Sequence, residues 1–183
     1  MGVEKSILAT GSAMFKLAAT STATANNIVE FTKRLIPMAQ AAHMTTDQVL
    51  ALGSASDSLY LMPEVSATAF SKLISAFQTN HNLIEKELNI PEGTLNRMYK
   101  SKQVMEGMIL IFEKMHEKGN MNALNSVFKD LGSDGARLKS VMVAMANHVD
   151  MLKTHLNTST TAFKDATAAT AEYNIQQNTS NAL

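Results

Sequence analysis

The sequence predicts an all-α chain, a compact bundle of about 7–9 helices with a long or frayed C-terminal helix. Three observations predict it. Proline occurs three times and glycine eight times in 183 residues, so helix breakers are sparse. Alanine, leucine, methionine, lysine and glutamate, all good helix formers, are abundant. Apolar residues recur at steps of three and four, and strand-like alternation is absent over any useful length. At this length about 70% of the unfolded surface can be buried, enough for a true core.

The helices can be laid out in order. Ile28, Phe31, Leu35, Met38 and Ala42 form one apolar stripe, in which Pro37 is expected to kink or split the helix. Thr45 and Gln48 have capping-box spacing and open a helix running through Leu52. Pro63 and Glu64 suit a first turn, followed by Val65, Ala69, Leu73 and Phe77 on one face. Val104, Met108, Ile111, Phe112 and Met115 make the next stripe, closed by Gly119. Asn120 can cap a short helix to Leu131, with Gly132 as its stop. Gly132-Ser133-Asp134-Gly135 reads as a corner between helices. Beyond it Leu138, Val141, Met142, Met145, Val149, Leu152 and Leu156 follow at heptad-like steps.

The core domain is therefore placed at 1–157, with 1–25 as a partly ordered N-terminal helix and loop. Residues 158–183 read as an Ala/Thr/Asn-rich extension or frayed tail. There Phe163, Ala166, Thr170 and Tyr173 keep helical spacing on a thin stripe. Both chain ends read as cuts through a longer protein.

Composition narrows the function classes. Sixteen basic and sixteen acidic residues cancel, giving no global attraction to nucleic acid or to an anionic membrane. No apolar run approaches the ~20 residues of a membrane span, and the N-terminus has no signal core. Without cysteine there are no disulfides and no thiolate metal sites. The thirteen methionines are read as gap-fillers of a helical core.

Reactive constellations are scarce, so no catalytic, cofactor-binding or metal residues are assigned. His148 and His155 lie two turns apart, about 10 Å of rise, too far to share one ion. Glu113 and Glu117 alternate with Lys114 and Lys118 and read as a solvated face. The residues that carry contact function are placed on two faces, Phe163-Ala166-Thr170-Tyr173 and Met142-Met145-Val149-Leu152. The ordinary reading of the second is internal core. One local motif offers another class: HNLIEKELNIPEGTLNRMYK (His81 to Lys100) scans as a helix-turn-helix. Ile84, Leu88, Ile90, Leu95 and Met98 would lock its helices, and Asn89 would sit at the turn. Thr94, Asn96, Arg97 and Lys100 would then face a DNA groove. Glu85 stands where a small residue is normally required, which favours a corner inside a larger bundle.

Order and spacing of several segments resemble a known family. FTKRLIPMAQAAHMTTDQVLALGSA (Phe31 to Ala55) and PEVSATAFSKLISAFQ (Pro63 to Gln78) are similar to the core region of phage tail tape-measure proteins. Met44, Thr45, Leu50, Leu52 and Gly53 carry the pattern, followed by Glu64 to Phe77. NIPEGTLNRMYKSKQVMEGMILIFEKM (Asn89 to Met115) and VFKDLGSDGARLKSVMVAMANHVDML (Val127 to Leu152) extend it, so that it covers roughly Asn26 to Asn157. The resemblance implies a structural module of a phage or prophage tail, taking part in length determination and assembly. It implies a place in the virion tail lumen, after synthesis and assembly in the bacterial host cytoplasm. It also implies other copies of itself, tail-tube, tail-tip and assembly-chaperone proteins as partners. A single straight helix of this length would span about 270 Å. The many helix stops point instead to a packing or docking unit within the ruler.

Overall fold

The computed structural model describes residues 3–119, 124–129 and 132–180, and the side chains of 6–119, 124–125, 128–129 and 135–166. All the regular structure in these residues is helical: nine helices and one four-residue turn, α8. They are α1 (Val3–Thr20), α2 (Ala25–Ala41), α3 (Thr46–Ser58), α4 (Pro63–Thr79), α5 (His81–Leu88), α6 (Thr94–Lys100), α7 (Val104–Lys118), α8 (Asn125–Phe128), α9 (Gly132–Asn147) and α10 (Val149–Ser180).

The starts follow the expected chemistry. Thr24 lies extended and accepts the Asn27 N–H on its hydroxyl, opening α2. The Thr45 N–H donates to Gln48 Oε1 at 3.0 Å, opening α3. Pro63 occupies the first turn of α4. Three expectations are corrected. Pro37 does not divide α2, which continues to Ala41. Gly132 to Gly135 are no corner, because α9 begins at Gly132. Among the described residues the helix expected up to Leu131 is represented by the short turn Asn125–Phe128 and not by a continuous helix from its expected cap, and Asn120 and Leu131 lie outside the described residues.

The helix ends use a device that glycine counting does not find. His43, Tyr60, Asn89 and Lys102 all take left-handed backbone. After each, the next N–H closes back on the helix: Met44 on Ala39 O, Leu61 on Ser56 O, Ile90 on Glu85 O, Gln103 on Met98 O, at 2.8–3.0 Å. This is the Schellman closure, and Met44 and Ile90 tuck their side chains inward beside it. Only α7 ends on a left-handed glycine, Gly119.

Packing places α3 at the centre. Its residues from Val49 to Ser56 are all buried, and most are small. Helix α2 therefore approaches closely: a Cβ on Gly53 would lie 2.9 Å from Phe31 Cδ1. Large side chains fill the other side. Phe31, Phe70 and Phe112 meet edge to face, with centroids 5.9 and 6.2 Å apart, linking α2, α4 and α7. A Cβ on Gly107 would overlap the tip of the Phe77 ring, so this glycine leaves the space in which the α4 ring lies against α7. These residues belong to one large apolar core that continues through α9 to Leu152. A second, smaller cluster of Ala13, Leu17, Ala23, Ile28, Leu50 and Ala162 joins α1 and α10 to α2 and α3.

Candidate functional site

Two features stand out from the packing: a buried polar network along α3 and an apolar outer face on α1. The network begins where α10 crosses α3. His155 Nδ1 lies 2.8 Å from Ser54 Oγ, and Ser54 Oγ lies 3.4 Å from Ser21 Oγ. Ser21 in turn donates to Leu17 O and accepts the Ala23 N–H, closing the turn between α1 and α2. One turn further along α10, Ser159 donates to Asp47 O at 2.8 Å and Thr160 to Asp47 Oδ2 at 2.6 Å. At the far end of α3, Asp57 takes the Thr24 N–H on Oδ2 and the Asn27 side-chain amide on Oδ1. Every polar group in this chain of contacts holds one helix on another.

A serine hydroxyl beside an imidazole is also the beginning of a nucleophilic pair. Here Ser54 has no exposed surface and His155 only 7%. Burial alone pushes the His155 pKa below its usual value, without a carboxylate acting on it. The pair lines neither surface groove described below. Its geometry serves interhelical packing.

The helix-turn-helix motif folds as a corner of the bundle. Asn89 is left-handed at φ 53, as the turn requires, and Ile84, Leu88, Ile90 and Leu95 are buried. Glu85 has a role the sequence does not announce. Only 2% exposed, its carboxylate accepts the Gly93 N–H at 2.8 Å and the Leu95 N–H at 2.6 Å. A side chain from α5 thereby satisfies the free donors at the start of α6. Of the groove-facing set, Arg97 and Lys100 are exposed, and Thr94 and Asn96 half-buried. Arg97 Nη2 donates to Thr94 Oγ1 within the same short helix.

The contact faces divide. Met142, Met145, Val149 and Leu152 are all buried in the large core, so that face is internal and offers no docking surface. Phe163 is half-buried against the smaller cluster, and Ala166 is half-exposed. Thr170 and Tyr173 lie within α10, but their side chains fall outside the described residues. Glu113 and His116 share a face of α7 at a ligand-like spacing, but Glu113 is bound to Lys153 at 2.6 Å. Among the described residues no three His, Asp or Glu side chains group as a metal site. No described helix is long and apolar enough to cross a membrane.

No family model, curated protein or solved structure matches this chain. The functional reading rests on its own residues.

The surface that the sequence stripes miss is on α1. Ala9, Ala13 and Leu17 face inward and are buried. On the opposite side Ile7, Leu8 and Phe15 stand 65%, 52% and 75% exposed. A helix apolar on both sides ordinarily has both sides covered. Beside Phe15 and Lys16, an open groove of about 410 Å³ runs against Asn157, Thr158, Thr161 and Asp165 of α10. A smaller one of about 240 Å³ lies between Glu64 and Thr68 of α4 and Arg137 of α9. The signal for the α1 face was Ile7 and Phe15, eight residues apart and thus on one side of a helix.

Proposed function

We propose that this chain is a contact module, a structural and assembly unit of a phage or prophage tail tape-measure protein, and not a catalyst. The observation that carries the contact reading is the uncovered apolar face of Ile7, Leu8 and Phe15. The buried polar groups support it, because Glu85, Asp47, Ser54, His155 and Ser159 are all engaged in joining helices. The tape-measure assignment rests on the resemblance of the segments between Asn26 and Asn157 alone. Under it, the module docks in the tail lumen on tail-tube, tail-tip or chaperone proteins and on its own copies. Its compact bundle contributes anchorage rather than ruler length.

The test is an in-frame deletion of these 183 residues from the reading frame that carries them, followed by electron microscopy of the particles. The expected result is failure of tail assembly. Normal tails of unchanged length would refute the assembly role. Tails shortened by about 270 Å would mean that the segment acts as extended ruler instead.

The helix-turn-helix corner supplies a DNA-binding alternative through Thr94, Asn96, Arg97 and Lys100. Helix α6 is only seven residues long, and a chain of zero net charge attracts phosphate weakly. A gel shift at low salt that weakens as salt is raised would restore it.

A further inference from the structure

Helix α1 carries three observations that converge on one partner. The first is the exposed face itself. The second is Gly11, at its middle. Gly53 and Gly107 show what mid-helix glycines do in this chain, since each admits a phenylalanine ring where a Cβ would crowd or overlap it. Gly11 is exposed, and a Cβ there would meet nothing within 4 Å. Glycine weakens a helix interior, and nothing inside the fold uses its missing side chain. A close approach from outside would.

The third is a palindrome. Ile7 and Phe15 lie four residues on either side of Gly11, and Leu8 and Met14 lie three on either side. When two identical helices cross antiparallel at one residue, positions equally distant from it face each other. Ile7 then meets Phe15 of the second copy, Leu8 meets its Met14, and the two glycines face each other on the axis. This is the self-complementary pattern of a two-fold interface. Lys16 is the sole charged residue between Ser6 and Thr20 and falls opposite Ser6, so no like charges oppose each other.

We infer that α1 is a homodimerisation helix, pairing antiparallel with α1 of a second copy about a two-fold axis at Gly11. This rests on the contact reading above and names its partner. The three exposed side chains of both copies together cover on the order of 800 Å² of apolar surface, with Met14 and Ala18 adding to it. That area lies at the weak end of specific interfaces, suited to a protein whose copies are brought together by a larger assembly.

The chain has no cysteine, so one introduced thiol per copy gives a clean test. With Gly11→Cys, mild oxidation of the full chain should give a disulfide-linked dimer, because a glycine crossing brings the two Cα atoms within disulfide range. Lys33→Cys, on exposed α2, should stay largely monomeric under the same conditions. Adding Phe15→Glu to Gly11→Cys should cut cross-linking at least tenfold, with the helical circular dichroism signal unchanged. Sedimentation equilibrium of the unmodified chain, from about 5 to about 500 micromolar, should show a monomer–dimer equilibrium. Equal cross-linking at Gly11→Cys and Lys33→Cys, or a monomer over the whole range, overturns the two-fold. A monomer whose Ile7→Glu or Phe15→Glu forms still abolish tail assembly would leave the contact reading standing with a different partner.

Discussion

Glu85 is the residue whose replacement tests the structural reasoning most directly. It is buried and pairs with no basic side chain among the described residues, yet its two oxygens each accept a backbone N–H at the start of α6. Hydrogen bonds to charged groups contribute about 1.5–3 kcal/mol each. Glu85→Ala removes both acceptors and leaves Gly93 and Leu95 donors in a water-poor site, so the expected loss is about 3–5 kcal/mol. Glu85→Gln keeps one acceptor but turns an NH₂ group toward the second donor, and should cost about 1.5–3 kcal/mol. Both are large fractions of the 5–15 kcal/mol typical of a domain. Glu92→Gln, exposed in the same turn, should stay within about 0.5 kcal/mol of the unmodified chain. Urea denaturation followed by circular dichroism at neutral pH separates the three. If Ala and Gln at position 85 both cost less than about 1 kcal/mol, the carboxylate does not cap α6 and this account of the corner is wrong.

Gly107→Ala forces a methyl into the Phe77 ring and should destabilise by about 1–3 kcal/mol, whereas Gly11→Ala, in dilute solution, should stabilise by about 0.5–1 kcal/mol; reversed signs in thermal melts would contradict the packing. Burial lowers the His155 pKa from 6.5, so the unfolded chain binds the proton more readily than the folded one. Its contribution to stability is complete above pH 6.5 and declines as the pH falls below that value toward the lowered folded pKa. His155→Asn should therefore flatten the stability profile between about pH 7.5 and pH 5, and parallel profiles would discount the imidazole. Removing 158–183 takes Ser159, Ala162 and Phe163 from α3 and the smaller cluster, and should lower the melting temperature by several degrees; an unchanged melt would show that this part of α10 holds nothing.

Much of the bundle was legible because its stripes are made of large residues. Phe31, Leu73, Phe77, Met108 and Phe112 mark inward faces by spacing alone, and all are buried. Helix starts were legible where side chains cap locally, as at Thr45 with Gln48 and at Pro63. The ends were harder. His43, Tyr60 and Lys102 adopt the left-handed backbone in which glycine is expected, and the hydrogen bond that fixes each is visible only in three dimensions. Glu85 was read as an obstacle to close helix contact because its sequence neighbours do not reveal the donors it reaches eight and ten residues on. The Met142-to-Leu152 stripe is apolar whether it is a core face or a docking face, and its ordinary reading as core is the one its burial supports. On α1 the reverse held: its small inward residues make an inconspicuous stripe, and the exposed side carries the larger side chains.

The same contrast explains how α10 keeps its place. Between α2, α4 and α7, interlocking phenylalanines set the register, because rings packed edge to face cannot slide by a turn without opening cavities. Where α10 crosses α3, the facing residues include Ser54, Ser159 and Ala162, small side chains that would pack almost equally well in neighbouring registers. Directional bonds are what choose among them. His155 to Ser54, Ser159 to Asp47 O and Thr160 to Asp47 Oδ2 can be made together in one alignment only, and any slip leaves buried polar groups unpaired. Helix α1 lies on α10 and α3 through the small residues Ala9 and Ala13 and through Leu17, so its position is inherited from that alignment. The polar network thus sets where Ile7, Gly11 and Phe15 are presented. A surface built this way owes its geometry to α3, although none of its own side chains belongs to that helix.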